Sequence, residues 1–514
     1  MIKILSLVVV CFAFLCACNQ KPKEEVVPKQ LKDFCSSIHK VDSTSLSTEL
    51  HYLVDSMKHK TGVFVLEHGD DAMITRAWLC EHAEKTVDVQ YFIFSTDNVG
   101  LIACDYLVRA ADKGIKVRIL VDDVMVDAGA HEILTMDSHE NIEIKIYNPT
   151  INLGKNLFQK LKNLCVDFKG ANQRMHNKTF TVDGKVSITG GRNIADEYFD
   201  YDHEYNFRDR DVMLLGKTVK TINQSFNQFW ENPLSVPVAK VVQDSTVDAK
   251  DKNRFERLHQ YACNSQNFWP QVKEKITQLP QVFKNIQAAN ELVWTDSVHF
   301  VSDNPGKTNA LNKQLLDGGN TLPVLINLIQ QSKHSVAIQS PYLITTDVGI
   351  SLFKQTITRG VKVRVLTNSL LSNDNYEAFA GYQKCRKDLL NTGIQIYEFK
   401  PNAKERYKIL TSALQQKINF TPIFGLHAKS MVIDDYITVI GTFNLDPRSA
   451  YLNTECFAVI YSKQVAKSVL EGMEIEFLPE NSWHTTLNYN PDKEASKKTQ
   501  LKSFVKRVVP KEIL

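Results

Sequence analysis

Two stretches of this chain repeat one arrangement of potentially reactive side chains. The first reads His176-Asn-Lys178-Thr-Phe-Thr-Val-Asp183 and is followed by Gly190-Gly191-Arg192-Asn193. The second reads His427-Ala-Lys429-Ser-Met-Val-Ile-Asp434 and is followed by Gly441-Thr442-Phe443-Asn444. Counted from each histidine, lysine stands at +2, aspartate at +7, glycine at +14 and asparagine at +17, and the two histidines are 251 residues apart. In an extended strand, residues i and i+2 point to the same face, so each copy presents an imidazole beside an ammonium. A lone His-x-Lys is usually an exposed strand; two copies at matched positions are read as one paired active site. The chemistry that suits such a pair is phosphodiester transfer without a metal. Lys178 and Lys429 neutralise charge on the non-bridging oxygens, and Asn193 and Asn444 donate hydrogen bonds to them. One neutral imidazole attacks phosphorus and becomes covalently linked to it. The other, protonated, gives the leaving alcohol its proton and then serves as base for the incoming one.

Each histidine also needs an acidic partner to fix its tautomer. Glu455, ahead of Cys456-Phe-Ala-Val-Ile460, and Asp209, ahead of Arg210-Asp-Val-Met-Leu214, occupy like positions before apolar strands. Asp211 competes with Asp209 for the second role. Asp183 and Asp434 are expected to hold strand-to-turn geometry rather than touch substrate, with Gly190, Gly191, Gly441 and Thr442 supporting the site. No His, Cys or Glu cluster has metal-ligand spacing, so neither metal nor cofactor is expected. Gly216-Lys-Thr218 and Gly306-Lys-Thr308 share the end of a phosphate-binding loop, but both lack the glycine five residues earlier and are read as incidental.

The elements that must position these groups also occur twice. Val87 to Phe94 is apolar and β-branched and reads as a buried strand. A helical stretch from Val99 to Ala110 follows, Gly114 stops it, and Ile115 to Val121 is the next strand. In the second half Val336 to Gln339, Val348 to Phe353, Gly360 and Val361 to Leu366 follow in the same order, at offsets of 249 and 246 residues. Asn141 to Ile146 pairs likewise with Gly393 to Tyr397. Two α/β domains result, each a sheet covered by helices, expected over 51–232 and 320–514. The stretch 233–319 has no counterpart and is expected to be a helical connector, for example from Pro270 to Ala288. Ahead of each histidine motif lies a basic, apolar insertion, Leu153 to Leu164 and Arg406 to Leu414, suited either to an anionic membrane surface or to a solvated helix covering the sheet.

Composition excludes several alternatives. The 514 residues are 43% apolar and 23% charged, as in a well-packed globular protein rather than a disordered or collagen-like chain. Lys plus Arg total 61 against 58 Asp plus Glu, a net charge of +3, too weak for a bulk nucleic-acid binder. Lys3 and the fourteen-residue apolar run Ile4 to Ala17 form a signal segment (1–17), short of the ~20 residues that span a bilayer. The run ends at Leu15-Cys16-Ala17-Cys18, which resembles the lipobox of bacterial lipoproteins and makes Cys18 the expected lipidation site, an ordinary cleaved signal being the alternative. The polar, proline-containing stretch that follows is a tether within 18–50. Seven cysteines remain after the signal, at positions 35, 80, 104, 165, 263, 385 and 456, without a Cys-x-x-Cys pair; most are expected as small core residues.

The doubled His-x-Lys-x4-Asp motif, with Gly and Asn downstream, resembles the signature of the phospholipase D superfamily. Arg174 to Lys178, Gly190 to Ile194, Asp196 to Phe199, Ser340-Pro-Tyr342, Val365 to Ser369, Asn444 to Ser449 and Leu452 to Glu455 are similar to bacterial cardiolipin synthases of the C type. Thr442 departs from the usual Ser or Gly. The resemblance implies two pseudo-symmetric α/β phospholipase D-like domains with the active site at their interface. It also implies His176 as nucleophile and His427 as general acid/base. The expected activity is phosphatidyl transfer on phosphatidylglycerol, alone or with phosphatidylethanolamine, at the bacterial cell envelope facing the periplasm or outer membrane. Hydrolysis of phospholipid to phosphatidic acid and an exported nuclease are the alternatives, and no nucleic-acid partner is expected.

Overall fold

The structure, a computed structural model, describes residues 44–507 except 125–128, 151, 153–172, 203, 252, most of 269–290, 308–318 and 405–421. The signal segment, Cys18, most of the tether, both basic insertions and most of the stretch from Pro270 to Ala288 lie outside the described residues. In the first half the strands are β1 (Thr61–Leu66), β2 (Thr86–Tyr91), β3 (Lys116–Asp122), β4 (Ile142–Tyr147), β5 (Thr179–Val182), β6 (Val186–Gly190), β7 (Tyr205–Arg208), β8 (Asp211–Gly216), β9 (Ser235–Pro237) and β10 (Val293–Thr295). In the second they are β11 (Val298–Ser302), β12 (Ser335–Gln339), β13 (Lys362–Asn368), β14 (Gln395–Phe399), β15 (Ile423–Leu426), β16 (Ser430–Ile433), β17 (Ile437–Gly441), β18 (Cys456–Tyr461) and β19 (Ser482–Thr485).

Two mixed sheets result. One runs β10-β1-β8-β6-β5-β2-β3-β4-β9 and the other β11-β18-β17-β16-β12-β13-β14-β19, so the second repeats the first strand for strand apart from the extra edge β10. Within each, β2-β3-β4 and β12-β13-β14 are parallel, and the remaining neighbours are antiparallel. The parallel strands are joined by helices Asn98–Asp112 and Asp347–Thr358. Both helices end at a glycine with positive φ, Gly114 (85°) and Gly360 (86°). There the following residue's N–H reaches back to the last turn, Ile115 to Ala110 and Val361 to Thr356. A left-handed residue closes the helix at each place, as the sequence predicts.

The connector differs from the expectation of a helical link. Besides helix Glu256–Cys263, it supplies β9 and β10 to the edges of the first sheet, and β11 pairs with β18 in the second. Strand β11 occupies the place that β1 holds in the first repeat, so the second sheet begins before residue 320. A five-residue strand at a sheet edge carries too short an alternation to stand out in sequence.

Each sheet buries one face under its own helices. The opposite faces meet through an apolar layer that includes Val63, Val212, Leu214, Val432, Ile440, Ala458 and Ile460. Val465, Val469 and Met473 of helix Lys463–Phe477 belong to the same layer. Beside it lies a polar interface: Arg208 Nε meets Glu476 Oε1 at 2.6 Å, Arg210 Nε meets Glu67 Oε1 at 2.6 Å, and Arg210 also reaches Gln339.

Candidate active site

The histidine motifs enter the site on matched pieces of backbone that cross between the repeats. Met175 bridges to Thr454 in parallel, and His176 N–H donates to the Thr454 carbonyl at 3.0 Å. In the mirror arrangement β15 pairs in parallel with β7, placing Leu426 opposite Arg208, and His427 N–H donates to the Arg208 carbonyl at 2.8 Å. The residue after each acceptor is the acidic one. His176 Nδ1 therefore lies 2.8 Å from Glu455 Oε2, and His427 Nδ1 lies 2.6 Å from Asp209 Oδ2. Each imidazole is held by a carboxylate of the other repeat.

Lys178 Nζ donates to the His176 carbonyl at 2.9 Å, and Lys429 Nζ lies 2.7 and 2.9 Å from the two ring nitrogens of His427. All four side chains are buried, and each lysine's charge acts on the carboxylates of both repeats, which makes this one cluster rather than two. Burial pulls Lys429 down to about 7, against the pull of Asp209, with Lys178 lowering it further. Burial pulls Lys178 down to about 8, partly countered by Glu455. Burial, Lys178, Lys429 and Arg448 together hold His176 well below its ordinary value. His427 is lowered to about 4 by burial and Lys429, although Asp209 and Asp374 both favour its charged form. Burial works against charge on Asp209, yet His427, Lys429 and Arg192 hold its carboxyl far below the usual carboxylate range. Burial pushes Glu455 up to about 7 in spite of Lys178 and the Thr442 hydroxyl.

Asn193 Oδ1 accepts from Ile93 N–H at 3.0 Å; its buried Nδ2, beside the Tyr198 hydroxyl, has no well-formed hydrogen bond among the described residues. Asn444 instead keeps its Oδ1, a hydrogen-bond acceptor, buried without a partner among the described residues. The unpaired Asn193 Nδ2 and the two lysine ammonium groups are donors that form a cradle for an oxyanion; the Asn444 Oδ1 is not. Asp211 is not a histidine partner: its Oδ2 meets Arg76 Nη2 at 2.9 Å and its Oδ1 accepts from Arg192 N–H at 3.2 Å. Asp183 and Asp434 each accept from three consecutive backbone N–H groups, of Glu84 to Thr86 and of Lys333 to Ser335. A Cβ on Gly190 or Gly441 would lie 2.3 Å from atoms of the neighbouring strand, so only glycine lets these strands approach.

Sequence reasoning missed the walls. The Phe92 ring meets His176 edge-on at 5.1 Å, and Tyr198 and Phe207 pack on His427 at 5.0 and 4.6 Å. Asp303, a further absentee, accepts from Glu455 N–H at 3.0 Å and pairs with Lys307, whose place in a loop-like Gly-Lys-Thr is therefore structural. Thr218 of the other such triplet hydrogen-bonds Thr61 at 2.8 Å. Among the described residues no group of His, Cys, Asp or Glu is placed to hold a metal ion.

Comparison with known proteins agrees with this architecture. The family model described as cardiolipin synthase, PLD-like domain, matches residues 79–230 and again 325–475. The chain belongs to that family and to the phospholipase D superfamily, enzymes that transfer phosphatidyl groups or cleave phosphodiesters. It is 34% identical over 414 residues to cardiolipin synthase C of Escherichia coli, covering 79% of this chain and 83% of that one. It is 31% identical over 440 residues to an uncharacterized protein of Helicobacter pylori, covering 85% and 82%. The fold of phosphatidylserine synthase from Haemophilus influenzae superposes with a TM-score of 0.57 at 14% identity, over 91% of this chain and all of that one.

Proposed function

We infer that this chain is a phosphatidyltransferase that makes cardiolipin from phosphatidylglycerol through a covalent phosphohistidine. The observation that carries the reading is the crossed pairing of His176 with Glu455 and His427 with Asp209 around two buried lysines. His176, kept neutral by burial and by Lys178, Lys429 and Arg448, attacks phosphorus through Nε2 while Glu455 accepts from Nδ1–H. The P–N bond forms as the bond to the headgroup oxygen breaks, and that oxygen takes a proton from His427. His427, beside the ionised Asp209, is the ring better placed to carry that proton. The second alcohol then gives its proton to His427, its oxygen attacks phosphorus, and the P–N bond breaks to free His176. Lys178, Lys429 and Asn193 hold the non-bridging oxygens.

Transfer rather than hydrolysis is supported by seclusion. His176 and His427 are 7% and 6% exposed, so a bound lipid leaves little room for water at phosphorus. An apolar cavity of about 470 Å³ lined by Leu101, Ile119, Met136 and Phe255 also includes Phe94, which bridges to Ile194 beside Asn193. It offers apolar space for an acyl chain within the first repeat, although no catalytic side chain lines it. Acylation at Cys18 would tether the body to the envelope membrane, and the disulfide-bonded Cys263 suits an oxidising compartment. No described helix is long and apolar enough to cross a membrane. The test is incubation of the purified chain with labelled phosphatidylglycerol, with and without DNA. Cardiolipin and glycerol are expected; phosphatidic acid as sole product, or nicked DNA with intact lipid, refutes the reading.

A further inference from the structure

The pseudo-twofold symmetry is broken by charge at one position. Counted from each histidine, residue +21 is Glu197 in the first repeat and Arg448 in the second. Their backbones are equivalent: Glu197 lies in the short helix Asp196–Tyr198 just after the Phe94–Ile194 bridge, and Arg448 in helix Pro447–Tyr451 just after the Leu343–Leu445 bridge. Glu197 precedes Tyr198, whose ring packs edge-on against His427. The same flank carries Asp374, exposed at the surface and accepting from the Tyr342 hydroxyl at 2.8 Å, whose charge reaches Glu197, His427 and Lys429. The fully buried Asn193 keeps its unpartnered Nδ2 beside Tyr198. On the opposite flank the Arg448 carbonyl accepts from Asn453 N–H at 2.8 Å, immediately before the Thr454-Glu455 pair that holds His176, and its charge reaches that ring. One flank of the site is thus acidic and hydroxyl-bearing, the other cationic.

We propose that the Glu197–Arg448 pair orients the substrate across the two histidines. The headgroup alcohol, uncharged or cationic and rich in O–H or N–H donors, lies on the Glu197–Asp374 flank beside His427. The anionic phosphodiester backbone faces Arg448 beside His176. This inference rests on the phosphatidyl-transfer reading and deepens it. It also gives the two histidines different partners from sequence positions that symmetry would make equal: the ring that handles alcohol protons has the flank that accepts hydrogen bonds, and the ring that bonds phosphorus has the flank that attracts anions. An acceptor whose negative charge lies beside its hydroxyl is disfavoured on the first flank by Asp374 and by ionised Glu197, which burial pushes up to about 7. Phosphatidylglycerol as acceptor, by contrast, carries its phosphate charge at the far end of its glycerol.

The experiment is a competition among three small alcohols of similar size, the cation ethanolamine, neutral ethylene glycol and the anion glycolate. They are offered at equal concentration to the full chain with a labelled phosphatidylglycerol donor. The wild-type chain is expected to phosphatidylate ethanolamine and ethylene glycol in excess over glycolate. E197K should move the product ratio towards glycolate by on the order of tenfold, and E197Q and D374N by less, since removing a charge does less than reversing it. R448Q should raise KM for the donor without moving the acceptor ratio. An acceptor ratio unchanged in E197K, E197Q and D374N, with donor turnover retained, overturns the orientation alone. A wild-type chain that forms no phosphatidyl alcohol overturns the transfer reading and this inference with it.

Discussion

In the unit that holds His427, Asp209 lies against Gly191, where a Cβ would come within 2.0 Å of Asp209 Oδ1. In the unit that holds His176, the longer Glu455 lies against Thr442, whose hydroxyl donates to Glu455 Oε2. The next position separates them further. Arg192 is buried, donates to the carbonyls of Leu66, Glu67 and Asp209, and its charge helps keep Asp209 ionised. The equivalent Phe443 belongs to the apolar core of the second repeat. Asp211, paired in register with Gly190, meets Arg76, whereas its counterpart Phe457, paired with Gly441, is apolar. The duplicated backbone therefore carries one strongly ionic half and one largely apolar half. That difference separates the two histidines: Asp209 favours a charged imidazole, while Glu455, pushed up to about 7 by burial, favours a neutral one.

The sharpest way to break this comparison is to remove each ring. H176A and H427A should both lose turnover of phosphatidylglycerol by roughly 10³–10⁴-fold, with melting temperatures little changed. With a nitrophenyl phosphodiester, whose leaving group needs no proton, H427A should accumulate a covalent phosphoenzyme visible by mass spectrometry and H176A should form none. The reverse result would exchange the two roles. Next come the carboxylates. D209N should cost roughly 10³-fold in turnover because it removes the charge that the imidazolium needs, and E455Q only about 10–100-fold, as a lost orienting partner. Equal losses would mean that the two units act alike.

Stability separates the halves as well. R192M strips charge compensation from a buried ionic cluster and should cost about 3–5 kcal/mol by urea denaturation, whereas F443L should cost less than about 1.5 kcal/mol. Where the repeats are truly equivalent the effects should match: D183A and D434A each orphan three backbone N–H groups and should each cost about 1–3 kcal/mol. The smallest effect is on anion affinity. With Lys429 near 7 and Lys178 near 8, raising the pH through that window removes first one cation and then the other. Tungstate binding followed by calorimetry should weaken by about tenfold per pH unit between 7 and 8 and more steeply above 8, and affinity independent of pH would remove the lysines from the cradle.

Much of the site was legible because repetition supplies its own control. His176 and His427, their lysines, Asn193 and Asn444 recur at fixed offsets, and so do the strands and the helix-ending Gly114 and Gly360. Glu455 and Asp209 were legible as acids before apolar strands, and the structure places both on imidazoles. The choice between Asp209 and Asp211 was not legible, because it turns on Arg76, 135 residues from Asp211 in sequence, drawing that carboxylate away. Tyr198 and Arg448 stood within recognisable motifs, but only their neighbours in space show what they flank. Strand β11 hid inside the connector because five residues at a sheet edge leave little periodic trace.

The order of elements, the two copies of the motif and the residue types able to handle a phosphodiester are properties of the sequence, since strand alternation, helix stops and side-chain chemistry are local. Which carboxylate serves which histidine belongs to the tertiary structure alone. The sheets face each other across an apolar layer, and parallel bridges at Met175–Thr454 and Leu426–Arg208 hand each imidazole to an acid of the other repeat. Burial in that shared cluster, where few waters compete, then sets the charge each group carries.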